Sequence, residues 1–254
     1  MKKTLLFLLF IIGLLSFRAE AQTFHFGANG SYGINYLLNA NIDFEGQDTV
    51  YVFSTGRSAG LSAAFYFDFG GYYYRKMYGV KTELNFSTVN QAYKVFPGGG
   101  PANPNVFYQY KARLSYIDVP LLFNFCPTHH QGFTLDVGPQ VSFLRNAMMV
   151  PEESRVSNPL YPNLDKSDFR STIFSAVLGI GCFYNFTERF AMVSTFRMGY
   201  SFSDVMLNSD QIQHYAPTHR AWAHATLSAV YKFNKYYSDR NRGYKYYVKK
   251  LKKR

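Results

Sequence analysis

The sequence has no apolar run after residue 21 that reaches the roughly 20 residues a transmembrane helix needs. It has only two cysteines, Cys126 and Cys182, which is too few for a disulfide framework. Charged residues make up 17% of the chain, against about 25% in soluble domains. These shortages exclude a helical membrane protein and a disulfide-rich secreted fold, so any insertion into a membrane must use strands.

Alternating apolar and polar residues are the main positive signal. On one parity of residues 24–35 lie the mostly apolar positions Phe24, Phe26, Ala28, Gly30, Tyr32 and Ile34. The same pattern returns in residues 77–87. A period of two is the strand period, because successive side chains leave a strand on opposite faces. Long strands with one apolar and one polar face are typical of closed barrels in a bilayer.

Eight segments follow this pattern, at approximately 23–35, 58–69, 76–88, 107–125, 133–145, 169–186, 190–203 and 220–233. Long polar connections at 36–57, 89–106, 146–168 and 204–219 alternate with short ones at 70–75, 126–132 and 187–189. The sequence therefore predicts an all-β, eight-stranded antiparallel transmembrane β-barrel with short periplasmic turns and long extracellular loops. The alternative is a soluble, lipocalin-like barrel with an apolar interior. The loop asymmetry, the aromatic strand ends and the ionic polar face favour the membrane form.

The fourth segment changes phase, because its apolar residues switch parity near Ser115 and Tyr116. One extra residue there, a β-bulge, would produce that change. Pro120 then lies on the inward parity, and it lacks the N–H that a neighbouring strand would bind. We therefore expect a bulge near Ser115 and a local gap in pairing at Pro120.

Three regions are expected along the chain. Residues 1–21 combine Lys2 and Lys3, an apolar stretch over 4–17 and the Ala19-Glu20-Ala21 site, which together are typical of a cleavable signal peptide. Residues 22–233 form the barrel, with a net charge near +1, and residues 234–254 form a basic periplasmic tail with a net charge of +8. The chain is thus expected in the outer membrane, with both termini in the periplasm.

Charged residues on the polar parity of the strands are expected inside the barrel. They are Asp68, Lys81, Glu83, Lys111, Arg113, Asp118, Asp136 and Arg197. The interior of an eight-stranded barrel is just wide enough for side chains to fill it. Opposite charges there would pair and avoid the cost of isolated buried charges. This predicts a lumen plugged by a structural ionic network, with a small gated pore as the alternative.

The tail interleaves tyrosines with basic residues that could dock it to a partner. The basic residues are Lys235, Arg240, Arg242, Lys245, Lys249, Lys250, Lys252, Lys253 and Arg254. Export argues against nucleic acid as a partner, so we expect outer-membrane lipid or an acidic protein of the envelope. A disordered, solubilising tail is the alternative.

No pattern indicates a catalytic site, a metal site or a cofactor. His129 and His130 are adjacent in a short turn, without a second cluster at zinc-ligand spacing. The last long connection holds Asp204, Ser209, Asp210 and His214, which outside any catalytic motif are ordinary loop residues. An outer-membrane enzyme acting on lipid or peptide through these loop residues is therefore the alternative function. The cysteines are expected on strands separated by a third strand, too far apart to bridge.

Four stretches resemble the PorT-like outer-membrane β-barrel family of Bacteroidota. They are residues 114–125, with the Tyr116-Ile117-Asp118-Val119-Pro120-Leu121-Leu122 motif, residues 82–87, residues 135–141, with Gly138-Pro139 after a short turn, and residues 177–181. The resemblance covers most of residues 23–233 and implies an outer-membrane barrel. It also implies a role in type IX secretion, since the family includes a barrel needed for that process.

Overall fold

The computed structural model describes residues 23–38, 47–52, 54–69, 76–97, 106–126, 131–155, 166–187, 189–207 and 218–233. These residues form nine strands and one short 3-10 turn at Lys166–Asp168. The strands are β1 (Thr23–Leu38), β2 (Gln47–Val52), β3 (Thr55–Phe69), β4 (Lys76–Pro97), β5 (Tyr108–Cys126), β6 (Gln131–Ser154), β7 (Thr172–Asn185), β8 (Phe190–Ser201) and β9 (His219–Lys232). None of the helical segments in these ranges is long and apolar enough to cross a membrane.

Eight of the strands close into a ring. Consecutive strands from β3 to β9 pair antiparallel with each other. β1 closes the ring by pairing with both β3 and β9. The predicted eight-stranded antiparallel barrel is therefore confirmed. Closure leaves no free edge in the ring, so every strand has a neighbour on both sides.

The remaining strand, β2, does not add a ninth strand to the ring. It continues the pairing that β3 makes with β4. It pairs with the far end of β4, where Val52 lies opposite Ala92, while β3 pairs with β4 from Gly56 opposite Val89. Ser54 joins the two strands, and its Oγ accepts a hydrogen bond from the Ala92 amide at 2.8 Å. The predicted long connection over 36–57 therefore contains a strand of its own.

The barrel has two different ends. The end that carries the start of β1 also carries the short connections after β3, β5 and β7, and we call it the turn end. The opposite end, the loop end, carries the long connections. There β4 runs to Pro97 and β6 to Ser154, well past the predicted ends at residues 88 and 145.

The wall is apolar outside and polar inside over most of its height. Large apolar side chains such as Phe65, Phe86 and Phe196 are about half exposed on the outer face, and we call the zone of these exposed side chains the apolar band. Neighbouring residues of the opposite parity, such as Glu83 and Arg197, are buried in the lumen. This is the reverse of a soluble barrel, in which apolar side chains fill the interior.

The expected bulge lies at the expected height but on the neighbouring strand. Ser115 pairs with Asn146 and Tyr116 pairs with Leu144, so Arg145 of β6 has no counterpart in β5. The extra residue therefore belongs to β6, and placing it in β5 was wrong. A second shift, between Gln109 and Tyr110, leaves Glu152 of β6 unmatched.

Because β5 has no extra residue, its even-numbered side chains face the interior along its whole length. Asp118 and Asn124 do so below the bulge, and Tyr110 and Leu114 do so above it. The apolar residues above the bulge thus face inward. The interior changes from polar to apolar at this height.

Lys111 and Arg113 were therefore assigned to the wrong face. Arg113 is exposed on the outer wall, and Lys111 forms an ion pair there with Glu152. The prediction assumed that the apolar parity faces outward throughout. That assumption fails above the bulge.

The expected gap in pairing at Pro120 is confirmed. Between β4 and β5 the ladder stops after Thr82 opposite Leu121 and resumes at Asn85 opposite Asp118. Pro120 lies inside this interval and has no amide hydrogen to donate. Pairing of β5 with β6 is interrupted next to it, between Pro120 opposite Gln140 and Phe123 opposite Val137.

Candidate functional site

The centre of the lumen holds a compact cluster of four charged side chains, which we call the central ionic cluster. Lys81 and Glu83 come from β4, Asp136 from β6 and Arg197 from β8. All four are buried. Since β4 and β8 lie on opposite sides of the ring, the cluster spans the lumen from wall to wall.

Arg197 is the hub of the central ionic cluster. Its Nη1 and Nη2 donate to the two carboxylate oxygens of Glu83 at 2.8 and 2.9 Å, and Nη2 also donates to Asp136 Oδ2 at 2.9 Å. Lys81 Nζ lies 2.9 Å from Glu83 Oε1 and 3.7 Å from Asp136 Oδ2. Two cations thus meet two anions, and the two-pronged contact with Glu83 is the geometry that guanidinium favours.

Uncharged neighbours donate further hydrogen bonds to the two carboxylates. Asn85 Nδ2 donates to Glu83 Oε2 at 2.8 Å, and the Asn124 side-chain amide donates to Asp136 Oδ1. Gly179 leaves room for the hub, because a Cβ there would lie 2.8 Å from Arg197 Cγ. The cluster is therefore closely packed as well as electrically neutral.

A second ion pair lies nearer the loop end. Arg220 Nη1 and Nη2 donate to the carboxylate oxygens of Asp118 at 3.2 and 3.3 Å, and both residues are buried. The guanidinium of Arg220 also lies over the Tyr116 ring, 4.7 Å from its centroid. Beside this pair, Asn35 Nδ2 lies 2.9 Å from His224 Nε2.

Above the second pair the lumen is filled by apolar side chains, which we call the apolar plug. It is a buried cluster of Leu37, Val89, Leu114, Tyr116, Leu144, Ala147, Phe169, Ile173 and Val205. Leu114, Ile173 and Val205 have no solvent exposure at all. The side chains of the apolar plug come from both sides of the ring. Among the described residues, they therefore close the lumen at the loop end.

Among the described residues, the lumen contains two small voids near the charged side chains. One, of about 50 Å³, lies toward the turn end and is lined by Lys81, Lys232 and His25, together with other polar and apolar neighbours. The other, of about 20 Å³, lies between the central ionic cluster and the second pair, beside Trp222. A void of about 10–15 Å³ is enough for one water molecule. These voids therefore have room for a few waters but not for a file of hydrated ions.

Five of the eight predicted lumen residues lie inside the barrel, namely Lys81, Glu83, Asp118, Asp136 and Arg197. Lys111 and Arg113 lie on the outer wall, as described above. Asp68 belongs to β3, but its side chain is outside the described part of the structure.

Sequence reasoning missed Arg220, the partner of Asp118. Its signal was present, because Arg220 shares the parity of the inward residues His224 and Thr226. It lies at the first residue of the predicted eighth segment. Extending the parity rule to that end would have found it.

Other predicted positions have ordinary surroundings or lie outside the described residues. Asp204 Oδ1 accepts hydrogen bonds from the backbone amides of Met206 and Thr218 at 3.0 and 3.1 Å, so it links the residues that follow β8 to the residue that precedes β9. Cys182 of β7 is a free, exposed thiol, and β6 separates it from Cys126 of β5. The positions outside the described residues are His129, His130, Ser209, Asp210, His214, the predicted signal peptide at 1–21 and the predicted tail at 234–254.

No known protein family and no curated protein matches this sequence. Among solved structures, the attachment invasion locus protein Ail of Yersinia pestis is similar at 10% identity and a TM-score of 0.37, over 84% of this chain and 97% of that chain. The outer membrane protein OprG of Pseudomonas aeruginosa is similar at 12% identity and a TM-score of 0.38, with the same coverage.

Proposed function

We propose that this chain is a non-enzymatic outer-membrane β-barrel with a side-chain-plugged lumen that serves as an interaction or structural component of the cell envelope. One observation carries the proposal. The barrel exposes apolar side chains such as Phe65 and Phe196 to its surroundings and buries the charges of Glu83 and Arg197 inside. Only an apolar surrounding medium makes that arrangement favourable, because in water the exposed apolar wall would aggregate.

The strand lengths suit a bilayer. The shortest strand of the ring, β8, has 12 residues, and a tilted strand needs about 9–11 residues to cross the hydrocarbon core. Longer strands such as β4 and β6 extend past the apolar band at the loop end. By the usual asymmetry of such barrels, the turn end faces the periplasm and the loop end faces the outside.

The central ionic cluster and the apolar plug support a closed lumen in place of a diffusion pore. Full-length protein in planar bilayers should therefore show no steady ion current. Heat-denatured protein in the same detergent is the control for leaks, and a shift in gel migration on heating verifies that the barrel is folded. A steady current that disappears on Glu83→Ala or Arg197→Ala would overturn the closed lumen.

We further propose that the barrel acts in association with a secretion system. This proposal rests on the resemblance of the segment around Asp118 and Pro120 to PorT-like barrels, and on the charge of the tail. Residues 234–254 carry a net charge of +8, next to a barrel region near +1. In the periplasm such a segment would attract anionic headgroups or an acidic partner, at about 1 kcal/mol per basic residue near a membrane surface.

Deleting residues 235–254 should leave the barrel folded while partner proteins no longer co-purify. The expected result is unchanged heat-modifiable migration together with the loss of proteins recovered by cross-linking in the native membrane. A variant in which the nine basic residues of the tail are exchanged for glutamine is the matched control, because it keeps the length of the tail and removes its positive charge. Failure of the deleted protein to insert would assign the tail to assembly, and an unchanged set of partners would overturn the docking role.

A further inference from the structure

Toward the loop end, the outer wall between β3 and β6 carries three exposed arginines, which we call the arginine patch. They are Arg57 of β3, Arg113 of β5 and Arg145 of β6. The barrel lumen contributes nothing to the patch, because all three side chains leave the outer face. Among the described ion pairs, none includes any of the three.

The strand register places these arginines close to one another. Thr88 of β4 pairs with Arg57 on one side and with Ser115 on the other, so Arg57 and Ser115 are two strand spacings apart, about 10 Å. Arg113 lies two residues along β5 from Ser115, and Arg145 is the bulged residue beside Ser115 on β6. Guanidinium groups on side chains of this length can therefore reach a common headgroup.

The height of the patch is fixed by its apolar neighbours. The guanidinium of Arg145 lies 5.7 Å from the centroid of the Phe86 ring, and half of Phe86 is exposed on the apolar band. Leu84 and Phe143 are similarly exposed just below. The arginines thus stand at the line where the apolar wall ends, which is the height of lipid headgroups.

The opposite wall differs at this end of the barrel. There β7, β8 and the residue after β8 present Phe174, Tyr200 and Phe202, and Phe202 is 67% exposed. The β3–β6 side thus carries the arginine patch at a height where the β7–β8 side carries exposed aromatic rings. Two exposed carboxylates of β6 lie farther along the same side, and both have partners: Glu152 binds Lys111 and Gln109, and Glu153 binds Arg155.

We propose that the arginine patch binds the phosphate groups of a phosphorylated lipid headgroup in the leaflet at the loop end. This inference rests on the proposed membrane location of the barrel. Guanidinium is suited to phosphate because it donates two parallel hydrogen bonds and keeps its charge at all physiological pH values. A lipid fits better than a soluble anion, because the apolar residues directly below would contact its acyl chains.

The test uses full-length protein in detergent micelles, titrated with diphosphoryl lipid A and followed by native mass spectrometry. The variant Arg57→Gln/Arg113→Gln/Arg145→Gln should bind this lipid roughly a hundredfold more weakly, because each arginine contributes about 1 kcal/mol at a membrane surface. Chemically dephosphorylated lipid A should bind to both proteins with the same low affinity. Binding of the phosphorylated lipid should also weaken as salt is added.

The control variant Lys166→Gln/Arg170→Gln/Arg189→Gln loses the same charge from exposed positions outside the patch and should keep the affinity of the unchanged protein. Equal binding by the patch variant, or an equal loss in the control variant, would overturn the inference. Heat-modifiable migration is recorded for every variant. If the unchanged protein shows heat-modifiable migration but does not bind the lipid, the arginine patch alone is refuted. If its migration never changes on heating, the proposed membrane barrel is refuted.

Discussion

Replacing Arg197 with alanine should destabilise the barrel by about 3–5 kcal/mol, the usual cost of removing one partner from a buried ion pair. Arg197 donates to both oxygens of Glu83 and to Asp136, and its removal leaves two buried carboxylates with Lys81 as their only cation in the central ionic cluster. Urea unfolding in micelles measures the effect. The chain has a single tryptophan, Trp222, which lies in the lumen, so its fluorescence reports on unfolding of the barrel interior.

Two further variants show whether the effect comes from unpaired charge. Arg189→Ala removes an arginine that is exposed near the turn end, and it should cost less than about 1 kcal/mol. The double variant Glu83→Leu/Arg197→Met removes one charge of each sign and leaves Lys81 facing Asp136. It should recover much of the stability lost in Arg197→Ala. If Arg197→Ala costs no more than Arg189→Ala, the central ionic cluster is not a determinant of stability.

The second pair should behave in the same way by itself. Asp118→Ala leaves the buried guanidinium of Arg220 over the Tyr116 ring with Ser87 Oγ, at 3.4 Å, as its remaining hydrogen-bond partner. We expect a loss of about 3–5 kcal/mol in unfolding free energy, measured by the same urea titration.

A double-mutant cycle isolates the interaction between Asp118 and Arg220. Because an apolar pair of similar volume avoids the desolvation of both charges, Asp118→Leu/Arg220→Met should be close to neutral, while each single variant is strongly destabilised. Additive losses in the double variant would show that the two side chains act independently. The apolar plug above the pair makes the apolar exchange easy to accommodate.

The fold was largely predictable because strand periodicity is a local property. Positions such as Phe65 and Phe196 alternate with polar residues within single segments, and no long-range information is needed to recognise that pattern. The same parity placed Lys81, Glu83, Asp136 and Arg197 on the inner face. Alternating connection lengths then indicated how the strands are joined.

The ends of the strands were not predictable to the same degree. Both β4 and β6 continue past the predicted ends into the stretches assigned to loops. Those stretches read as loops because their apolar residues no longer follow the outward parity. Tyr93, for example, is fully buried inside the extension. A rule that equates apolar with outward holds only where the surroundings are lipid.

The bulge shows the same division between local and tertiary information. Its height near Ser115 could be read from the change of phase in one strand. Its assignment to β6 depends on which residue lacks a partner, and that is a property of two paired strands. The mistaken faces of Lys111 and Arg113 followed directly from this error.

By itself, the sequence determined the strand periodicity, the number of strands in the ring and the polarity of each face on the turn-end side of the bulge. These features follow from the alternation of residues within each segment and from the number of such segments. Tertiary structure alone decided which charges meet. Glu83 and Arg197 are 114 residues apart in the chain, and Asp118 and Arg220 are 102 apart. Their contacts exist because closing the ring brings opposite walls within side-chain reach. The same closure put an apolar core inside the loop end. In the proposed membrane location the wall there lies beyond the bilayer, so the favourable face for an apolar residue becomes the inner one.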